Sequence, residues 1–174
     1  VQEKLWMNLA LSDIRLAHPD DAAVIASMSR HFIELGLGWN WTPCRVLRSI
    51  EDRSSNVAVI CDPDTVVGFG IMQYGDDVAH LALLAVRPEY RKQGLGCRLM
   101  SWLESPAVIA GIRSIRLEAR ADNPEAIGFY ERRGYRLSGT VAGYYQGLMD
   151  AVRMEKPLHA DALTPPSSLP PPAL

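Results

Sequence analysis

The stretch Val86-Arg87-Pro88-Glu89-Tyr90-Arg91-Lys92-Gln93-Gly94-Leu95-Gly96 decides how this chain is read. An apolar, β-rich segment from Leu81 to Val86 precedes it, and an amphipathic run marked by Leu95, Leu99 and Leu103 follows. A strand therefore passes through a short basic turn into a helix. Backbone N–H groups at such a junction point outward, and with the helix dipole they bind anions. Gly94 and Gly96 let a ligand approach the main chain closely, while Arg91 and Lys92 add charge at the same spot. The pattern predicts a phosphate cradle. It is not a dinucleotide loop, because the third glycine of that fingerprint falls on Leu99 and no suitable acidic partner strand follows. It is not a nucleoside-triphosphate loop, because Gly-Lys-Ser/Thr is absent. On the hexapeptide alone, an ordinary strand-to-helix turn stays open as the alternative.

The rest of the chain narrows the class. Its 174 residues suit one domain with a good core, and 48% apolar against 22% charged residues is ordinary for a soluble globular protein. A net charge of −2 supplies no global field for nucleic acid; the basic residues cluster locally, at 87–98 and 113–136. Cys44, Cys61 and Cys97 are odd in number and widely spaced, which fits neither a disulfide framework nor a metal site and suits a reducing compartment. Cys97 falls at the expected helix start beside Arg98, where thiolates are favoured, although a small filler beside a bound ligand is the simpler reading. No apolar run reaches transmembrane length and no signal peptide is recognised, so no membrane contact is expected and the cytoplasm is the expected location.

Periodicity gives the element order. Ser12 to Ala17 reads as a strand, and Ala22 to Leu35 as a helix through Val24, Ile25, Met28, Phe32 and Leu35. Gly36 to Trp41 reads as a flexible, aromatic-rich loop, and Thr42-Pro43 opens a helix through Glu51. Asn56 to Cys61 and Val66 to Tyr74 form a hairpin, and a further turn leads into Val78 to Val86. The helix from Gly94 is interrupted at Ser105-Pro106. Ile112 to Ala119 is strand-like. Asn123-Pro124-Glu125 caps a helix that closes on Arg132, Arg133 and Gly134, and Tyr135–Val141 and Ala151–Glu155 are closing strands. The order is β-α-α-β-β-β-α-β-α-β-β. A domain over 1–157 and a Pro-rich, extended tail over 158–174 are expected.

Two segments carry a family resemblance. Arg91-Lys92-Gln93-Gly94-Leu95-Gly96 resembles Arg/Gln-x-x-Gly-x-Gly/Ala, the pyrophosphate-binding motif of the GNAT acetyltransferase superfamily. The segment Leu117-Glu118-Ala119-Arg120-Ala121-Asp122-Asn123-Pro124-Glu125-Ala126-Ile127-Gly128-Phe129-Tyr130-Glu131-Arg132-Arg133-Gly134-Tyr135 resembles its second, far more specific signature. The resemblance covers about residues 12–157 and is sharpest from Leu84 to Lys156. Within the superfamily the chain is most similar to protein N-terminal acetyltransferases of the ribosomal-protein-alanine type. The ending Tyr144-Tyr145 with Asp150-Ala151 and Met154 is similar to that subgroup too.

The resemblance implies an α/β (α+β) GNAT fold. Its mixed sheet of about seven strands would have an antiparallel meander and splayed parallel strands flanked by helices. It implies acetyl-CoA as cofactor. Leu84, Ala85 and Val86 would pair their backbone with the pantetheine chain; Arg91, Lys92, Gln93, Gly94, Leu95, Gly96, Cys97 and Arg98 would hold the pyrophosphate; Asn123 would bind pantetheine. The chemistry requires a neutral amine, a donor for the developing oxyanion and an acid near sulfur. Glu118 matches the family's base, usually acting through water, and Tyr130 the tyrosine that protonates or hydrogen-bonds the departing sulfur. A salt-bridged strand glutamate and a core tyrosine are the structural alternatives. At pH 7 an α-amine of pKa about 7.8 is roughly one-seventh neutral, against well under about one-thousandth for a lysine. Tyr144 and Tyr145 resemble the hairpin tyrosines that hold a peptide backbone. Trp39, Trp41 and Tyr144 equally suit the wall of a small-amine pocket, so a peptide N-terminus and a small amine both stand as acceptors. A silent acyl-CoA-binding module is the alternative outside enzymology, and a monomer or homodimer is expected.

Overall fold

Alternating apolar residues in the middle of the chain build one seven-stranded sheet of order β1-β2-β3-β4-β5-β7-β6 in a computed structural model that describes residues 14–158. The strands are β1 (Ile14–Leu16), β2 (Ser55–Asp62), β3 (Thr65–Tyr74), β4 (Val78–Val86), β5 (Ser114–Arg120), β6 (Arg136–Tyr145) and β7 (Met149–Pro157). All neighbours are antiparallel except β4 and β5. Helices α1 (Ala22–Phe32) and α2 (Pro43–Glu51) cover one face, packing Ile25, Ala26, Met28 and Val46 on Val57, Val59, Phe69 and Ile71. Helices α3 (Leu95–Ile109) and α4 (Pro124–Arg132) cover the other, where Leu99, Met100, Leu103 and Tyr130 meet Ala58, Ile60, Ile115 and Leu117. Each such large apolar side chain contributes about 1.5–3 kcal/mol by leaving water. Gly70 makes room for α3: a Cβ there would lie 2.6 Å from Leu103 Cδ1.

The feature that opens the molecule is in β4. Val78–Leu81 pairs in parallel with Ser114–Leu117, and the pairing stops there. Across the other edge, Ile71 pairs with Leu83 and Met72 with Leu81, so Ala82 is an extra, unpaired residue. Such a bulge bends a strand and reverses its alternation. Ala79 and Leu81 pack on the α3 side, whereas Leu83 and Ala85 beyond the bulge pack on the α1–α2 side. Residues 82–86 thus diverge from β5, which stays paired with β7 through Arg120. This is the splay expected of the fold.

Several boundaries differ from the sequence reading. Helix α1 ends at Phe32 rather than Leu35, because the N–H groups of Ile33 and Glu34 both return to the Ser29 carbonyl at 2.9 Å. Helix α3 runs through Pro106 without interruption. Pro106 stands near the helix end, so it removes one backbone bond and the last turn still closes, Ala110 N–H donating to the Pro106 carbonyl at 2.9 Å. Strand β6 extends to Tyr145, well past Val141. Helix α4 begins and ends as expected: Asn123 Oδ1 accepts from Ala126 N–H at 3.0 Å, and Gly134 takes φ +89°. Ser12 and Asp13 of the first expected strand, and the tail beyond Leu158, lie outside the described residues.

Candidate active site

A cleft of about 910 Å³ occupies the splay, running from the β4–α3 turn past the end of β5 to the β6–β7 hairpin. One end is built from main chain. Gly94 at φ +81° and Lys92 at φ +60° turn the chain into α3. The N–H groups of residues 92–97 have no acceptor among the described residues. Leu84, Ala85, Val86, Arg91, Lys92, Gly94, Leu95, Gly96 and Cys97 line this end. Arg91 Nε donates to the Val86 carbonyl at 3.1 Å, bracing the turn against the strand. Gln93 donates Nε2 to the Glu89 carbonyl at 3.1 Å, while its buried Oε1 is unpartnered. Unpaired N–H groups at a helix start and an open strand edge beside them fit a pyrophosphate followed by an amide-bearing arm. Gln93 and Arg98 stand outside the cleft lining.

The other end is built from side chains. Glu118 projects from β5 toward the α1–α2 face, and every oxygen of its carboxylate is engaged. Oε2 meets His80 Nε2 at 2.7 Å and the Tyr144 hydroxyl at 3.4 Å; Oε1 accepts from Arg153 Nε at 2.9 Å. Burial pushes this carboxyl up, but Arg153 and His80 outweigh it and hold Glu118 below its ordinary value. The Tyr145 hydroxyl donates to the Glu118 carbonyl at 3.4 Å, and burial raises that phenol to about 12.

Tyr130 sits between the two ends. It is buried, edge-on to Phe129 at 5.2 Å and to Tyr135 at 5.7 Å, and burial raises its pKa well above that of a free phenol. Its hydroxyl forms no hydrogen bond among the described residues. Asn123 spends its carbonyl on the helix cap, which leaves its Nδ2 for a ligand.

The loop between α1 and α2 is held rather than loose. Buried Glu34 accepts from Ser29 Oγ at 3.1 Å, Asn40 N–H at 2.8 Å and Trp41 N–H at 3.3 Å. Arg120 Nη1 donates to the Leu35 carbonyl at 2.9 Å while its other nitrogens hold Asp122. Gln146 reaches the same loop from the hairpin at Gly38.

The structure therefore gathers Glu118, Tyr130, Asn123, Trp41, Tyr144 and Tyr145 around one cleft with the β4–α3 turn. Trp39 is not in its lining: it lies under Arg30, 4.9 Å from the guanidinium, whereas Trp41 carries Arg45 at 4.1 Å. Sequence reasoning missed His80, Arg153, Glu34 and Gln146. Only His80 left a signal, as a polar residue inside an apolar strand; its approach to Glu118 depends on the parallel register that sets His80 opposite Arg116.

The splayed sheet, with unpaired main-chain N–H groups at one end of the cleft and the Glu118 carboxylate at the other, is the arrangement the GNAT resemblance implies. The chain belongs to the acetyltransferase (GNAT) family, whose sequence profile matches residues 25–135. It is 34% identical over 110 residues to the [ribosomal protein bS18]-alanine N-acetyltransferase of Salmonella typhimurium, covering 62% of this chain and 74% of that protein. It is 40% identical over 96 residues to N-alpha-acetyltransferase 20 of Dictyostelium discoideum, covering 54% of this chain and 53% of that one. The crystal structure of Ard1 from Thermoplasma volcanium superposes with a TM-score of 0.73 at 27% identity, over 86% of this chain and 99% of that chain. The protein is an acetyl-CoA-dependent N-acetyltransferase. Among the described residues no helix is long and apolar enough to cross a membrane.

Proposed function

We propose that this enzyme acetylates the α-amine at a protein or peptide N-terminus, in the cytoplasm, with both substrates held in one cleft. The observation that carries the reading is the acceptor end itself. Tyr144 and Tyr145 fold over Glu118 from the hairpin, and the braced 34–41 loop lines the same end of the cleft. Two relatives with protein N-terminal or ribosomal alanine acceptors in their names support it.

Acetyl-CoA supplies an acetyl group activated as a thioester. The N–H groups of residues 92–97 would hold its pyrophosphate, helped by Arg91 and Lys92, and the open edge of Leu84–Val86 would hold its amides. A backbone N–H on that edge would polarise the thioester carbonyl. The chain must also take a proton from the amine. An ordinary carboxylate already lies about 3.5 units below an α-amine, and Glu118 is held lower still by Arg153 and His80. We therefore assign the base to the Glu118–His80 pair. With Nε2–H donating to the carboxylate, His80 Nδ1 carries the lone pair and takes the proton directly or through one water. Tyr130, whose phenol is pushed further from thiol pKa values by burial, donates a hydrogen bond to the leaving sulfur rather than giving up its proton.

The test is product mass spectrometry on a mixed panel of peptides, polyamines and amino sugars. Acetylation of peptides at a small free N-terminal residue is the expected result. Modified small amines with untouched peptide α-amines would overturn the acceptor assignment and leave the family intact.

A further inference from the structure

The β6–β7 hairpin and the α1–α2 loop are joined by one side chain. Gln146 Oε1 accepts from Gly38 N–H at 2.9 Å, and Gln146 Nε2 donates to the Gly38 carbonyl at 3.1 Å. A single carboxamide thus satisfies both main-chain groups of one residue, as a neighbouring strand would. The carboxamide lies close against the main chain: a Cβ on Gly38 would stand 2.6 Å from Gln146 Nε2 and 2.7 Å from its Oε1. Gln146 itself takes φ +57°, a left-handed conformation unfavourable for any residue with a Cβ, although its neighbour Gly147 at φ +74° shows which residue suits such a turn. The hairpin tip behind it is fixed, Gly147 N–H donating to the Gly143 carbonyl and Gly143 N–H to Asp150 Oδ1, each at 2.8 Å. Gln146 and Leu37 both line the cleft beside Tyr144 and Tyr145.

We infer that Gln146 is a positioning residue for the acceptor: its carboxamide straps the β6–β7 hairpin to Gly38 and thereby sets the width of the slot through which the amine reaches Glu118 and His80. The inference rests on the acceptor reading above. The strap ties together the two walls of the acceptor end and touches nothing in the phosphate turn. Its loss costs preorganisation for the acceptor alone. Gln146→Gly keeps, and relaxes, the left-handed turn while deleting both bonds. Gly38→Ala breaks the same bridge from the opposite side, at a position whose φ is not left-handed.

The experiment is steady-state kinetics on the full chain with acetyl-CoA and a short peptide bearing a free N-terminal alanine, for the wild type, each single variant and the double variant. Hydrogen exchange of the Gly38 amide is measured alongside. Each single variant is expected to raise the peptide KM about ten-fold, the scale of one or two neutral hydrogen bonds, with the acetyl-CoA KM unchanged. The double variant should be no worse than either single, because both remove one shared contact. Gly38 should be protected in the wild type and exchange freely in Gln146→Gly. Additive effects, an equal shift in the acetyl-CoA KM, an unchanged peptide KM or a lowered one would each overturn the strap; a lowered KM would mean that the carboxamide occupies the acceptor's own place. If the wild type modifies no peptide, the acceptor reading fails by itself, and the strap is still decided by exchange: an unprotected Gly38 amide in the wild type overturns it.

Discussion

The two ends of the cleft are made of different material. At the β4–α3 turn the groups on offer are backbone N–H groups of residues 92–97 that have no acceptor among the described residues, and Arg91 braces the turn against β4. At the acceptor end nearly every group is already engaged: Glu118 with His80, Arg153 and Tyr144, Glu34 with its own loop, Gln146 with Gly38. On the reading proposed above, the first end offers main-chain donors that suit the diphosphate common to CoA esters. The second is a closed network that a substrate must fit. On that reading, cofactor affinity belongs to local backbone geometry, and acceptor choice to contacts between residues far apart in sequence.

Substitutions that strike one end and spare the other can break this division. The largest effect is expected from Tyr130→Phe, which removes one hydroxyl at the junction and little packing. Turnover should fall about 10²–10⁴-fold with acetyl-CoA affinity near normal, as single-turnover kinetics and calorimetry would read. A comparable loss of affinity would place Tyr130 in the cofactor end instead. Gly96→Asp should come next, weakening acetyl-CoA by about 100-fold or more, since a like charge facing phosphate costs several kcal/mol. The added Cβ would meet Phe129 at 3.5 Å, an ordinary contact, and an acid in the first turn favours the helix, so melting should hardly move. Unchanged affinity by calorimetry would remove the pyrophosphate from this turn.

Smaller effects sharpen the electrostatics. Glu118 is held below its ordinary pKa, so its ion pairs stabilise the fold above the unfolded carboxyl value of about 4.3 and are lost as pH falls through the lower folded value. Glu118→Gln should melt lower than the wild type at neutral pH, and the difference should shrink on acidification; a gap constant from pH 7 to pH 3 contradicts the pairing. The smallest expected change separates two roles of Asn123. Asn123→Ala loses the cap and about 1 kcal/mol of stability. Asn123→Asp keeps a capping oxygen but lacks Nδ2, so it should melt normally and bind acetyl-CoA less well.

Sequence carried far more of one end than of the other for the same reason. The glycine turn and the Asn123 cap are local: spacing, charge and turn chemistry act within a few residues, so Gly94, Asn123 and Gly134 were readable and stand where expected. The antiparallel meander and the splay followed from the element order and the family resemblance, although the Ala82 bulge that opens the splay leaves no mark in an apolar run such as Leu81-Ala82-Leu83-Leu84. His80, Arg153 and Gln146 act on partners tens of residues away, at Glu118 and Gly38. No periodicity announces such a contact. Trp39 illustrates the opposite error, since an aromatic near the site in sequence spends its face on Arg30 outside the cleft.

The most direct test of the closed network as a proton-taking site is the pH profile of kcat/KM for a peptide acceptor in the wild type and in His80→Gln. If the Glu118–His80 pair removes the amine's proton, the His80→Gln defect should be large near neutrality. It should shrink as pH rises through about 8 to 9.5, where an α-amine of pKa about 7.8 is already neutral. A defect of constant size up to pH 9.5 would contradict the account and leave His80 a prop for Glu118.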